Sequence, residues 1–213
     1  KSNKIIPYIE IINDDATSRG YKKTKEALKD MLHFEQFYRK KDVSLIDIIE
    51  KTKLGVNSNI ISSIEININD IQNSDYYSNL KSFIDFVHNS NCSCSIRFNT
   101  EINLNVIKEI TDLLSTNDYL IIDIEDNYYN SLEFFLTQIN LIKKKCKILI
   151  FSNERPKNST NKDLAFDNYN NSFNTSVIDA IKMNKFKENG FGSYCAAKND
   201  LTQSGTFKYP VYG

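Results

Sequence analysis

The sequence predicts an α/β fold built from repeated βα units. Three observations predict it. Short Ile-rich apolar runs alternate with amphipathic stretches of helical period. Polar residues recur inside the later apolar runs at near-constant spacing: Glu65 to Arg97 is 32 residues, Arg97 to Asp123 is 26 and Asp123 to Ser152 is 29. A strand, a helix and two loops occupy about 30 residues, and repeats of that kind imply a parallel sheet with helices outside it. The pattern is TIM-barrel-like. A full barrel of eight such units typically needs about 250 residues, and this chain has 213. It therefore reads as one domain over 1–213: a compact or incomplete barrel, or alternatively an open doubly wound parallel sheet.

Each element follows from its residues. Ile5 to Ile12 is a short Ile-rich run ending in Asn-Asp-Asp, which predicts a buried strand entering a loop. The stretch 18–40 predicts a helix, with Ala27, Leu28, Met31, Leu32, Phe34 and Phe37 on its apolar face. Val43 to Ile49 fits either strand or helix. Asn59 to Ile68 is a strand, and 75–90 a helix with Leu80, Phe83, Ile84 and Val87 aligned. A strand at 92–99 precedes a helix carrying Leu104, Ile107, Ile110 and Leu114. The run at 118–125 is a strand apolar on both faces, as in a covered parallel sheet. A helix over 131–143 and a strand over 146–153 follow. The rhythm then breaks: 155–174 is polar and Asn-rich and predicts a long irregular loop, before a helix at 175–186 and a final extended piece.

Composition narrows the function. Lys+Arg and Asp+Glu both total 27, so the formal net charge is zero, which argues against direct nucleic-acid binding through a broad basic patch. No apolar run reaches the roughly 18 residues that span a bilayer, and no signal peptide is visible, so no membrane partner is expected. The chain begins at Lys1 rather than Met, which fits a fragment of a longer protein. The four cysteines (Cys92, Cys94, Cys146, Cys195) lack Cys-x-x-Cys spacing and read as small apolar residues of a reduced, cytoplasmic protein. His33, assigned to a helix, and His88, at a helix end, have no metal-ligand partner at useful sequence spacing. Neither a metal nor a cofactor is identified. Gly190–Phe191–Gly192 is too short for a phosphate cradle, and no complete catalytic motif occurs.

In parallel α/β folds, polar residues at the carboxyl ends of strands converge on one rim where ligands bind. Here those positions hold Glu10, Glu65, Arg97, Asp123, Glu125, Asp126, Ser152 and Asn153. One reading is an acid-lined pocket: Arg97 binds a phosphate or carboxylate, while Glu10, Glu65 or Asp123 serves as general base or metal ligand. Asp123 and Glu10 are the catalytic candidates. Arg97, Glu65, Ser152 and Asn153 are the ligand-binding candidates. The competing reading is an internal layer of ion pairs, with Arg97 and Asp123 joined on adjacent strands.

The motif series at 95–99, 118–126, 147–156 and 189–201 resembles the Beta-protein family of bacteria and phages, found in defence islands. Pro7 and Glu10 match that family's first strand, Arg97 its Arg-bearing strand, and Asp123 its apolar strand. Ser152 to Pro156 match its Ser/Pro turn, and Phe191, Gly192, Ser193 and Tyr194 its late aromatic element, with Ser193 where an Asp is usual. The resemblance implies a TIM-barrel-like fold and adds Tyr194 as a ligand-binding candidate. It also implies a role in anti-phage defence, as a binding or sensing module for a phage component or a partner effector. A metal-dependent phosphodiesterase or hydrolase is the alternative function.

Overall fold

The computed structural model describes residues 6–11, 19–39, 42–99, 102–124, 136–142, 145–152 and 190–193. The chain is an α/β fold of repeated βα units, and every registered strand pair is parallel. In order, the elements are β1 (Tyr8–Ile11), α1 (Arg19–Leu28), β2 (His33–Phe37), α2 (Leu45–Lys53), β3 (Ile60–Ile66), α3 (Ile68–Ile71), α4 (Tyr76–Asn89), β4 (Cys94–Asn99), α5 (Leu104–Leu113), β5 (Tyr119–Asp123), β6 (Lys147–Ser152) and β7 (Gly190–Ser193). Contacts divide the chain into two compact units, 1–121 with 144–147 and 122–143 with 148–213.

In the first unit the strands lie in chain order, β1-β2-β3-β4-β5. A doubly wound sheet reverses its order at a switch point; no reversal occurs here, so the winding is of the barrel kind. The register sorts the side chains cleanly. Glu10 lies beside Gln36, Gln36 beside Ser63, and Glu65 beside Arg97. Because strand side chains alternate faces, Tyr8, Glu10, Gln36, Ser63, Glu65, Ser95 and Arg97 share one face. The opposite face carries Ile11, Ile64, Ile66, Ile96 and Phe98, all buried. Helices cover that apolar face: Lys51 of α2 lies 4.7 Å from the centroid of the Phe37 ring, and Lys25 of α1 pairs with Glu35. Leu80, Phe83, Ile84 and Val87 form the buried stripe of α4 that the sequence predicts.

Local chemistry fixes the helices. Val43–Ile49, open to either structure in the sequence, begins α2, because Ser44 and Asp47 form a reciprocal capping box. Asn67 and Asp70 cap the short α3 in the same way, and Arg39 binds the buried Asp70 with two nitrogens at 2.6 and 2.7 Å. Helix α4 ends at left-handed Asn91, φ 55°. There the Asn91 amide donates to the His88 carbonyl and the Cys92 amide to the Val87 carbonyl, closing the helix and turning the chain into β4.

One expected element is overturned. The stretch 18–40 is not a single helix: it stops at Leu28, and His33–Phe37 is a strand. The supposed apolar face mixed two periods. Phe34 is buried on the sheet, whereas Met31 and Leu32 are 48% and 45% exposed in the connection. His33, expected in a helix, is the first residue of β2 and is buried. No helix among the described residues is long and apolar enough to cross a membrane.

In the second unit, Ile122, Ile124, Leu136, Ile139, Ile148 and Ile150 are buried. The Ile124 amide donates to the Phe151 carbonyl at 2.8 Å. Residues 136–140 are helical, within the helix expected over 131–143. β6 pairs in parallel with β7, in register from Leu149 with Gly190 to Ser152 with Ser193. Gly190 suits that approach, since a Cβ there would fall 2.8 Å from Leu149 Cδ2. The predicted loop at 155–174 and the helix at 175–186 lie outside the described residues.

Candidate functional site

The polar face of the first unit gathers three of the predicted site residues near the carboxyl ends of their strands: Glu10 of β1, Glu65 of β3 and Arg97 of β4. Arg97 is fully buried, and its Nη1 lies 3.8 Å from Glu10 Oε1 and 4.0 Å from Glu65 Oε2. Those separations give ion pairing without a direct hydrogen bond between the same atoms. The Glu10 and Glu65 side chains retain 19% and 34% of their surface, so the carboxylates form the outer layer and the guanidinium the inner one.

Gln36, which the sequence reading did not single out, organises this face. Its Nε2 donates to Glu10 Oε1 at 3.3 Å and to Glu65 Oε2 at 3.0 Å. Its Oε1 accepts from the Tyr8 hydroxyl and, at 3.2 Å, from Ser63 Oγ. Two donated and two accepted bonds satisfy a carboxamide completely and fix which way it points. The neutral amide thus sits between two carboxylates that would otherwise repel. Tyr8 closes the cluster. Its ring lies 5.7 Å from the Arg97 guanidinium carbon, and burial, only partly offset by Arg97, pushes its hydroxyl up to about 12. Ser95 Oγ, fully buried on the same face, has no hydrogen-bond partner among the described residues.

The other predicted residues fall in the second unit or outside the described residues. Asp123 ends β5 in the second unit and is 2% exposed. The backbone of Ser152 ends β6, whereas its side chain, Asn153 and Tyr194 lie outside the described residues. Gln36 escaped notice because its strand was read as helix. Glu10 and Glu65, 55 residues apart, meet through the parallel strand order, as the rim reading of the sequence expects.

Two further clusters occupy the opposite, amino end of the first unit. A cavity of about 590 Å³ is lined by Lys22, Lys25, Lys29, His33, Asn57 and Asn59. Lys22 and Lys25 lie on α1 and Lys29 just beyond its end, at helical spacing, a signal that the sequence does carry. Glu26 and Glu35 neutralise two of them.

The second cluster centres on Asp118, a buried residue just before β5. Its Oδ1 accepts from the Cys94 amide at 3.0 Å. Its Oδ2 accepts from the Ser115 amide and hydroxyl, both at 2.7 Å, and lies 2.8 Å from His88 Nε2. The Cys94 thiol donates to Oδ1 at 3.5 Å. Burial would raise the Asp118 carboxyl, but the Cys94, Ser115 and His88 hydrogen bonds outweigh it and hold the group below its ordinary value. Burial, then the Asp118 charge, pushes the Cys94 thiol up.

No family model matches the chain, and no curated protein matches it. The likeness to the Beta-protein family therefore rests on the short motifs described above.

Proposed function

We propose that this chain is a binding module of a bacterial anti-phage defence system, recognising a phage component or a partner effector at the polar face of its parallel sheet. The single observation that carries the binding role is the Tyr8–Glu10–Gln36–Glu65–Arg97 layer. Parallel sheets ordinarily bury apolar residues on both faces, and a charged layer at the carboxyl ends of the strands is the usual position for ligand recognition. The outer carboxylates of Glu10 and Glu65 suit a cationic or hydrogen-bond-donating group, with Arg97 fixed behind them. Ser95 Oγ supplies a further buried polar atom on that face. The defence setting is supported by the motif resemblance.

The test is phage challenge of cells expressing the chain with its genomic neighbours. The expected result is a reduced plaque count that returns to the control level in a Glu10→Gln/Glu65→Gln variant of unchanged thermal midpoint. Equal plaque counts with the native chain and an empty control would overturn the reading.

A metal-dependent phosphodiesterase is the second reading, favoured by one observation: Glu10 and Glu65 both reach the same nitrogen of Gln36. Hydrolysis of bis(p-nitrophenyl) phosphate with Mg²⁺ or Mn²⁺, lost in Glu65→Gln, would select that reading over pure binding.

A further inference from the structure

We propose that His88, Cys94 and Asp118 form a zinc site at the amino end of the first unit's sheet. Their candidate ligand atoms all lie within 4.8 Å of one another. Around a tetrahedral zinc ion, with bonds of about 2.0–2.3 Å, ligand atoms stand about 3.3–3.8 Å apart. The Cys94 Sγ–Asp118 Oδ1 separation is already 3.5 Å, and His88 Nε2–Asp118 Oδ2 is 2.8 Å. The two neighbours face different oxygens of the Asp118 carboxylate, so a shared ion requires a shift on the imidazole side. That side can move, because the His88 side chain is 32% exposed whereas Asp118 is fully buried.

The backbone brings the three ligands together. The turn at Asn91 closes α4 after His88 and returns the chain to Cys94 at the start of β4. The Cys94 and Ser115 amides hold Asp118 from two directions, supplying the outer hydrogen bonds that orient a metal-binding carboxylate. A thiolate and an imidazole select zinc over magnesium or calcium, which take oxygen ligands. Charge balances as well. Zinc binding releases the Cys94 thiol proton to solvent, and His88 Nε2 serves as a neutral donor. One thiolate and one carboxylate then cancel the dication, so the filled site carries no net charge into a buried region. Three protein ligands leave the fourth tetrahedral position to water.

The site joins the end of α4, the start of β4 and the turn before β5, so the ion acts as a staple of the fold. Its test uses the purified chain with Zn²⁺ and Co²⁺. Competition against a chromophoric chelator should give one ion per chain. The Co²⁺ protein should show a thiolate-to-metal charge-transfer band and the visible bands of a tetrahedral centre. Cys94→Ser should remove the charge-transfer band, and His88→Ala should weaken zinc binding by about tenfold or more. Cys92→Ser should change neither, because the Cys92 thiol turns to the Ser90 carbonyl. Absence of stoichiometric binding by the native chain would overturn the proposal. So would a charge-transfer band that survives in Cys94→Ser.

Discussion

The two ends of the first unit's sheet use buried charge in opposite ways. At the carboxyl end, Arg97 is enclosed while its carboxylate neighbours reach toward solvent, and its Nη1 stands 3.8 Å from Glu10 Oε1. At the amino end, the carboxylate itself is enclosed and is held by donors at 2.7–3.0 Å. A carboxylate gripped by two backbone amides is fixed in place by the fold. Carboxylates spaced by a neutral amide and partly open to water keep capacity for something else. The same sheet thus carries a partly open charged layer at one end and a closed carboxylate knot at the other.

Three substitutions test that contrast. The largest effect is expected for Arg97→Ala. Removing one side of a buried ion pair while its partners stay costs about 3 kcal/mol or more, read as a lower urea midpoint. A near-zero change would mean that solvent already screens the carboxyl-end layer. Next is Asp118→Ala in chelator-treated protein, which strands the Cys94 and Ser115 amides and should cost about 2 kcal/mol. A smaller loss than in a Glu65→Gln control would erase the distinction between the two ends.

The smallest effect is expected for Tyr8→Phe, about 1 kcal/mol at neutral pH from the lost hydroxyl bonds. Its pH dependence has a definite sign. The folded hydroxyl titrates near 12, above its ordinary value of 10, so the stability it contributes is complete below pH 10. That contribution declines as pH rises from there through the folded value. The urea midpoints of the native chain and the Tyr8→Phe variant should converge over this interval, and a constant gap up to pH 12 would show the hydroxyl to be water-exposed.

Much of the fold was legible because it rests on apolar periodicity. The stripes of α4 and α5, and the Ile-rich strands β3 and β5, declare themselves. Glu10, Glu65 and Arg97 were legible as a set because parallel strands bring their carboxyl ends to one side. β2 was not legible: His33, Glu35 and Gln36 are all buried in a five-residue strand, so no alternation marks it. β7, four residues containing two glycines, has too few side chains to reveal a period. His88, Cys94 and Asp118 did not stand out, since Asp118 lies 24 residues beyond Cys94 and the His88–Cys94 spacing matches no common ligand motif. Only the turn at Asn91 and the return from α5 bring them together.

The polar character of β2 has a bearing on how the molecule assembles. Phe34 and Phe37 give the strand apolar surface, but its Glu35 and Gln36 tolerate burial only once neighbours offer them bonds. Gln36 needs Tyr8 and Glu10 from one side and Ser63 and Glu65 from the other. The segment's identity as a strand is thus a property of the company it keeps.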